Sequence, residues 1–209
     1  IVMFDRVVNE VECDKVIVDD FNGAVKAVKK LVENDCKSVA LITTMDYVSV
    51  GKLRTQGYLE ALQNSGIVAD SNLILKIDDS LDVENNLDVL EAEIAQFFNS
   101  NPNIDGVFAV NELYAVSAMK VARKLGLKIP DDIQVIGFTD GVLSKHATPS
   151  LTTVSQHGQK IGEQSANLLI DRLEAEDLET EQYFTNNDQK RDFIKVVIET
   201  EIIERESTK

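Results

Sequence analysis

The chain has 209 residues, which is enough for one large domain or two small ones with real cores. It is 44% apolar and 27% charged, a composition that excludes a disordered protein. The 36 acidic and 21 basic residues give a formal net charge of −15, so the surface repels phosphate backbones and unaided binding to nucleic acid is not expected.

The two cysteines, Cys13 and Cys36, form neither a CxxC pair nor a metal-ligand spacing. We therefore expect two ordinary thiols in a reducing compartment, and a cytoplasmic location. Apolar runs such as "SVALI" are too short to cross a membrane. No signal peptide is visible, but the chain opens in mid-strand at Ile1 ("IVMFD"), so we expect it to be a piece of a longer protein.

Short runs rich in valine and isoleucine alternate with stretches of helical period along the first 140 residues. This alternation predicts an α/β fold with a doubly wound parallel sheet that helices cover on both faces. The predicted strands are 15–18, 38–43, 73–77, 106–110 and 133–138. The predicted helices lie near 21–34, 49–64, 82–99 and 112–125.

The pattern changes after residue 140. "TPSLTTV" (148–154) is predicted to be extended, and the polar stretch 174–192 is predicted to be a loop. "FIKVVIETEII" (193–203) predicts one long strand or two strands joined end to end. Together with a first strand at 1–4, this tail indicates a second lobe made from both chain ends. A helix near 158–174 is also predicted, with these residues facing a core: Ile161, Leu168, Leu169 and Leu173.

Ligands of open parallel sheets bind beyond the carboxyl ends of the strands. The residues at those positions are Asp19, Asp20, Thr44, Met45, Asp46, Asn111, Glu112, Thr139 and Asp140. Such short donors and acceptors suit a ligand dense in hydroxyl or amide groups, such as a sugar or a nucleoside. Arg54 lies in a helix that starts at the same edge, and a guanidinium pairs well with vicinal hydroxyls or a carboxylate. A solvated surface arginine is the alternative.

Helix capping offers a second interpretation of these polar residues. We favour it for Asp19, Asp20 and Glu112. Asn111 could both cap the helix at 112–125 and bind a ligand. Asp140 precedes Gly141 and no clear helix, so capping explains it less well.

No motif for catalysis is present, since the GxSxG, Walker, HExxH and GxGxxG patterns are all absent from the sequence. His146, in a predicted loop, and His157, between a strand and a helix, have no cysteine or serine placed for a catalytic triad. The aspartate pairs at 78–79 and 131–132 lie in turns without a third ligand. We therefore expect that the protein is not an enzyme and that it has no catalytic residue, cofactor or metal site.

Several segments together resemble the effector-binding core of the lac-repressor-type (LacI) family of bacterial transcription regulators. The most specific is "DGVFAVNELYAVSAMKVARKLGLKIPDDIQVIGFTD" at 105–140. The other segments are "VMFDR" (2–6), "VIVDDFNGAVKAVKKLVENDCKSVALI" (16–42), "LRTQGYLEALQNSGI" (53–67), "TPSLTTVSQHGQKIGEQSANLLIDRL" (148–173) and "ERESTK" (204–209). The resemblance covers the whole chain apart from the loop predicted at 174–192.

The resemblance implies a periplasmic-binding-protein-like fold of type I. Two α/β lobes are joined by three crossovers, and a small sugar-like or nucleoside-like effector is held between them. Residues 1–18 and 156–198 would belong to lobe one, and 19–155 and 199–209 to the ligand and dimerisation lobe. A helix-turn-helix head and the first half of lobe one would precede this chain. Lobe one would therefore be incomplete, and a homodimer would contact DNA only through the absent head.

Matched position by position, the effector contacts would be Asp5, Arg54 and Asn111. Thr139 stands where the family often has an aspartate, and the neighbouring Asp140 is the available acid. Val48 and Val50 stand where many members carry polar contacts, which implies a less polar or differently placed effector on that side. Effector binding would favour one lobe arrangement and so set the spacing of two DNA-binding heads. A periplasmic sugar-binding protein of a transport system is the alternative function.

Overall fold

The computed structural model describes residues 1–8, 10–45, 49–78, 86–182 and 192–209. The chain folds as two compact units and crosses between them three times. Unit 1 comprises Ile1–Asp19 and His157–Glu199, and unit 2 comprises Asp20–Gln156 and Thr200–Lys209. The features singled out in the sequence that lie outside the described residues are Asp46, Val48, Asp79, the predicted helix start at 82–85 and residues 183–191 of the predicted loop.

Unit 2 is built on a sheet with helices α1 (Asp20–Glu33), α2 (Ser49–Asn64), α3 (Leu87–Ser100), α4 (Glu112–Lys124) and α5 (Val142–His146). Its strands are β3 (Val39–Thr44), β4 (Ile74–Ile77), β5 (Gly106–Ala109), β6 (Gln134–Phe138), β7 (Thr152–Ser155) and β9 (Glu201–Ile203). In the described residues their order is β4-β3-β5-β6-β7-β9, and only β9 runs antiparallel to its neighbour. The predicted doubly wound α/β fold is confirmed.

The strand order places a topological switch point between β3 and β5. From β3 the chain passes to β4 on one side, and it then returns to form β5 on the other side of β3. Both strands consist of buried residues, as expected for a parallel sheet covered on two faces. Open sheets of this kind bind ligands beyond the carboxyl ends of the strands that flank the switch point.

Three details of the secondary-structure prediction are wrong. The strand predicted at 15–18 pairs in the sheet of unit 1, not in the sheet of unit 2, which β7 completes instead. Hydrophobic periodicity indicates that a strand forms but does not specify which strands pair. Helix α6 (Gly158–Gln182) continues into the predicted loop, since "EAEDLETE" is polar but rich in good helix formers. Helix α5 is too short to show a helical period, so His146 lies in a helix rather than a loop.

Unit 1 contains α6 and a parallel sheet of β1 (Val2–Phe4), β2 (Asp14–Val18) and β8 (Lys195–Ile198). Arg172 donates two hydrogen bonds to the Asp14 carboxylate, at 2.7 and 2.8 Å, and thereby ties α6 to β2. The Arg172 hydrogen bonds hold the pKa of Asp14 below its usual value, although burial opposes them. Of the two predictions for 193–203, one long strand or two strands, the second is confirmed, because the segment forms β8 and β9.

The apolar face of α6 is only partly covered. Ile161 and Leu168 are buried as predicted, but Leu169 and Leu173 are 42% and 52% exposed, against the prediction that they face a core. Phe193, before β8, is also exposed. That lobe one is incomplete in this chain stays a prediction. In the described residues, none of the helices has the length and apolar character that a membrane crossing requires.

Helices α1 and α2 pack against each other at Gly57. A Cβ atom at this position would lie 2.4 Å from the carbonyl oxygen of Phe21 and 2.8 Å from the Cβ of Ala24. Backbone atoms of α1 cannot move aside as the end of a flexible side chain could. The absence of a side chain at Gly57 therefore sets the separation of the two helices, and with it the position of α2 on the sheet.

We expect Gly57→Ala to destabilise the protein by about 1–3 kcal/mol, the usual cost of overpacking a close contact. Gly162→Ala in α6 is the matched control, because a Cβ at Gly162 would meet nothing within 4 Å. The control should stabilise the protein by up to about 1 kcal/mol, through helix propensity. Urea denaturation followed by circular dichroism measures both, and equal stability of the two variants would contradict this packing argument.

Candidate functional site

The guanidinium of Arg54 is buried at the carboxyl edge of the unit 2 sheet, and the residue is only 5% exposed. Its Nε donates to Asp20 Oδ1 at 2.8 Å, and its Nη2 lies 2.6 Å from the same oxygen. Its Nη1 donates to the carbonyl oxygen of Val110, the residue that follows β5. The alternative of a solvated surface arginine is therefore wrong, since Arg54 joins α2 to the start of α1 and to the end of β5.

The ring of Phe138, the last residue of β6, lies directly under the Arg54 guanidinium. The guanidinium carbon is 3.6 Å from the ring centroid, which is a cation–π distance. Nη2 also donates to Gln156 Oε1, just past β7, at 3.3 Å. The guanidinium thus connects the ends of β5, β6 and β7, and Asp20 neutralises its charge.

The first turn of α2 is packed closely onto the end of β3. A Cβ at Gly51 would lie 2.0 Å from Thr44 Oγ1, so a side chain there would require this hydroxyl to rotate away. That hydroxyl is buried and has no hydrogen-bond partner among the residues that the structure describes. Val50 is also buried. The close packing of Gly51 on Thr44 fixes the position of the first turn of α2 on the sheet. It thereby also fixes the position of Arg54, which lies in the next turn of that helix.

Asp20 was predicted to be a capping residue, and its pairing with Arg54 was missed. Asp20 is the first residue of α1, and it is 3% exposed. The two residues are 34 positions apart and lie in different helices. Neither residue type nor spacing in the sequence signals that such a pair will form.

Asn111 caps α4, as the sequence predicts. Its backbone is extended, and its Oδ1 accepts a hydrogen bond from the Tyr114 amide at 2.8 Å. The cap holds the carboxamide in one orientation at the carboxyl end of β5. In the described part of the chain the Asn111 Nδ2 donates to no other residue, and the side chain is half-buried. A role as an effector contact stays a prediction.

Thr139 adopts a strained backbone conformation directly after β6. Its φ is 82°, which is a rare value for a β-branched residue. The Thr139 amide donates to the Val154 carbonyl at 2.9 Å, and its own carbonyl accepts from Thr153 Oγ1 at 2.8 Å. Such strain costs about 1–3 kcal/mol and persists where surrounding contacts enforce it, commonly at ligand sites. The role of Thr139 as an effector contact stays a prediction.

The carboxylate of Asp140 forms ion pairs within unit 2. Its Oδ1 accepts a hydrogen bond from Arg205 Nη2 at 2.5 Å, and its Oδ2 lies 3.5 Å from Lys145 Nζ. Arg205 also donates to the Leu151 carbonyl at 2.8 Å, so this arginine anchors the segment after β9. These ion pairs would compete with the predicted effector contact at Asp140.

Glu112 holds α5 in place. Its Oε2 accepts hydrogen bonds from the Ser144 amide at 3.1 Å and from the Ser144 hydroxyl at 2.9 Å. A Cβ at Gly141 would lie 2.1 Å from Glu112 Oε1, so a larger residue there would displace the Glu112 carboxylate. Glu112 therefore connects two helices, a role that its interpretation as a capping residue did not indicate.

Asp5 lies in unit 1, at the end of β1, whereas the other four candidate residues lie in unit 2. Its φ is 58°, in the left-handed region, and its amide donates to the Val16 carbonyl at 3.0 Å. Asp5 and Thr139 thus share an unusual feature, since each is a non-glycine residue with positive φ just after a parallel strand. The role of Asp5 as an effector contact stays a prediction.

Within the described ranges, no cluster of three or more histidine, cysteine, aspartate or glutamate residues could hold a metal ion. Burial raises the pKa of the Cys36 thiol to about 12, so this thiol stays protonated near neutral pH and is a poor nucleophile. The polar side chains at the carboxyl edge of the unit 2 sheet are suited to hydrogen bonding with a polar molecule.

Comparison with known proteins identifies relatives along almost the whole chain. Residues 28–208 match the family described as periplasmic binding protein-like domain. The chain is 30% identical over 200 residues to the HTH-type transcriptional regulator CelR of Thermobifida fusca, covering 96% of this chain and 53% of CelR. It is 31% identical over 208 residues to the ribose operon repressor of Halalkalibacterium halodurans, covering 100% and 56%. The chain spans about half the length of these curated relatives.

Solved structures agree with these matches. A complex of the transcriptional regulator CelR with cellobiose aligns with a TM-score of 0.82 at 28% identity, over 99% of this chain and 58% of that one. A regulatory protein of the LacI family from Chloroflexus aggregans aligns with a TM-score of 0.79 at 25% identity, over 100% and 68%.

We expect the buried pair of Arg54 and Asp20 to be strongly coupled. Asp20→Asn leaves the guanidinium without its counter-ion in a buried setting, and Arg54→Met does the same to the carboxylate. Each single variant should cost about 3–5 kcal/mol of unfolding free energy, and the double variant less than their sum. Urea denaturation of the four proteins measures the coupling.

The exposed pair of Lys29 and Glu33 in α1 is the control for that cycle. Both side chains are more than half exposed, and the two charged groups are 3.5 Å apart. Lys29→Gln and Glu33→Gln should each change stability by less than about 1 kcal/mol. A coupling energy for Arg54 and Asp20 no larger than for this pair would show that the edge does not depend on the buried ion pair.

Proposed function

Since this chain belongs to the periplasmic binding protein-like domain family, in its LacI-type branch, we propose that it is the effector-binding and dimerisation portion of a sequence-specific transcription regulator. It senses a small, polar, uncharged molecule of the sugar or nucleoside type. DNA is bound by a part of the regulator outside this chain, which agrees with the net charge of −15. The regulator acts in the cytoplasm and performs no chemistry.

The observation that carries this proposal is the internal neutralisation of the carboxyl edge. Arg54 is paired with Asp20, and Asp140 is paired with Arg205. A charged effector at this edge would have to compete with these pairs or leave a buried charge without a partner, and both are costly. A hydroxyl or amide ligand requires neither. Such a ligand can accept a hydrogen bond from Asn111 Nδ2. It can also take the place of Gln156 as the acceptor of the Arg54 Nη2 hydrogen bond, the longest of the described Arg54 hydrogen bonds.

The relatives support an effector of this kind. One structural neighbour is a complex of CelR with cellobiose, an uncharged sugar, and another relative is named a ribose operon repressor. The matched positions Arg54, Asn111 and Thr139 lie on three elements that meet at one sheet edge, as a site for a compact ligand requires.

A periplasmic sugar-binding protein remains the second candidate, because that class shares the fold. The relatives named here are regulators, which favours the first candidate. A mobility-shift assay with the full-length protein and the DNA upstream of its own gene separates the two. Sequence-specific retardation that a neutral sugar alters would support the regulator, and the absence of DNA binding would support transport.

We expect neutral sugars such as cellobiose and ribose to be the effective class in a thermal-shift screen of the full-length protein. At equal ionic strength, ribose 5-phosphate should displace a bound neutral sugar less effectively than ribose does, because Arg54, Arg205 and Lys145 are already paired with carboxylates. A phosphorylated sugar that displaces the neutral sugar more effectively than ribose does would contradict the proposed effector class.

Asn111→Asp separates ligand binding from helix capping. Aspartate keeps the oxygen that caps α4 but removes the amide donor, so stability should change by less than about 0.5 kcal/mol. Affinity for the identified effector should fall about tenfold or more, as measured by isothermal titration calorimetry. Asn111→Ala should lose both stability and affinity. An unchanged affinity in Asn111→Asp would remove Asn111 from the site.

Dimerisation is proposed to use the face of α5. Val142 is 71% exposed and Leu143 is 42% exposed on this five-residue helix, although Glu112 fixes the helix firmly. Adjacent exposed apolar residues on a rigid element are typical of a surface that a second copy covers. In a two-fold dimer, the α5 surface of one copy would contact the same surface of the other copy, so Val142 and Leu143 of both copies would lie in the interface.

We expect Val142→Asp to shift the full-length protein from dimer to monomer in sedimentation velocity, because a charge would be buried at the contact. Val68→Asp is the matched control, since Val68 is 90% exposed and lies in the loop after α2. An unchanged sedimentation coefficient for Val142→Asp, or an equal loss of dimer in the control, would exclude α5 from the interface.

A further inference from the structure

A recess beside the second half of α4 differs from the rest of this acidic chain. It has a volume of about 400 Å³, within the range of small-molecule sites. Its lining contains three basic residues and no acidic one: Val116, Lys120, Arg123, Lys124, Ala147 and Thr148. Such a cluster is unexpected in a chain with 36 acidic and 21 basic residues.

Two of the three basic residues, Lys120 and Lys124, are held close together by a buried carboxylate. Glu91 of α3 has a side chain only 7% exposed, and it accepts hydrogen bonds from both Lys120 Nζ and Lys124 Nζ, the latter at 2.7 Å. Burial alone would raise the pKa of Glu91, but the hydrogen bonds from the two lysines outweigh it and lower the pKa. Glu91 therefore stays ionised near neutral pH and counters the repulsion between the two ammonium groups.

Glu91 compensates only one of the three positive charges. Arg123 is positioned by a hydrogen bond from its Nη1 to the Thr148 carbonyl at 2.9 Å, and a carbonyl does not neutralise a guanidinium. The recess and its supporting carboxylate thus carry a net charge of about +2. More than half of the Lys120 and Lys124 side chains remains exposed, so their other N–H groups are accessible.

We infer that this recess is an anion site for a phosphate group, either inorganic phosphate or the phosphate of a small phosphomonoester. An arginine fork and two ammonium groups at helical spacing match the oxygens of a tetrahedral dianion. Val116 and Ala147 supply apolar wall beside them, which a small organic substituent could contact. The site is separate from the proposed effector site, because Asn111 caps one end of α4 and the basic residues lie in its second half.

The test is phosphate binding by the full-length protein at constant ionic strength. Inorganic phosphate, glycerol 1-phosphate and glycerol serve as probes in isothermal titration calorimetry, with sodium chloride as the salt control. Phosphate should bind measurably, and glycerol should not. Tighter binding of glycerol 1-phosphate than of phosphate would identify a phosphomonoester as the ligand, and the reverse order would identify inorganic phosphate. Heats that chloride reproduces at equal ionic strength would overturn the inference.

Two double variants locate the binding. Lys120→Gln/Arg123→Gln removes two recess charges and should weaken phosphate binding about tenfold or more. Lys29→Gln/Lys37→Gln removes the same charge from exposed positions elsewhere on unit 2, and it should change affinity less than twofold. Equal weakening in both would show a diffuse charge effect and overturn the site. Circular dichroism confirms folding, and an unchanged neutral-sugar affinity in the recess variant would show that the effector site is intact.

Discussion

The buried ion pair of Arg54 and Asp20 organises the carboxyl edge of the unit 2 sheet. A buried charge pair is tolerated only when its remaining hydrogen-bonding groups are also satisfied. Here the Val110 carbonyl accepts from the guanidinium, and the Phe138 ring lies beneath it. Arg54 belongs to α2 and Asp20 to α1, whereas Val110 follows β5 and Phe138 is the last residue of β6. One pair of charges therefore fixes four elements, and Asn111, directly after Val110, takes its position from them.

The Phe138 ring is confined on a second side by Gly23 of α1. A Cβ there would lie 2.8 Å from the ring and 3.0 Å from Thr200 Oγ1, so α1 approaches as closely as a glycine permits. Confinement of Phe138 also fixes the residue after it, Thr139. That residue can keep its positive φ because β7 binds its backbone on both sides, through the Val154 carbonyl and the Thr153 hydroxyl. Rigid support of this kind lets a sheet edge present side chains in set directions.

Features that depend on local chemistry could be predicted from the sequence, and features that depend on distant pairing could not. Asn111 caps a helix because of its own side chain, which hydrogen-bonds an amide three residues along the chain. Asp140 meets Arg205 across 65 positions, and no local pattern signals that contact. Periodicity identified β2 as a strand but could not assign it to a sheet, since both sheets require the same apolar residues.

Two opposite electrostatic environments can coexist on unit 2 because charge acts over a short distance in salt. The net charge of −15 belongs to the whole chain, but the Debye length is about 8 Å at physiological ionic strength. A ligand group therefore responds mainly to its immediate neighbours. At the carboxyl edge those neighbours are paired, so hydrogen bonding and shape determine which molecule binds. At the second half of α4 they are Lys120, Arg123 and Lys124, and among the described ion pairs Glu91 is the carboxylate that opposes the two lysines. Helix α4 thus connects an edge suited to a neutral molecule with a recess suited to an anion.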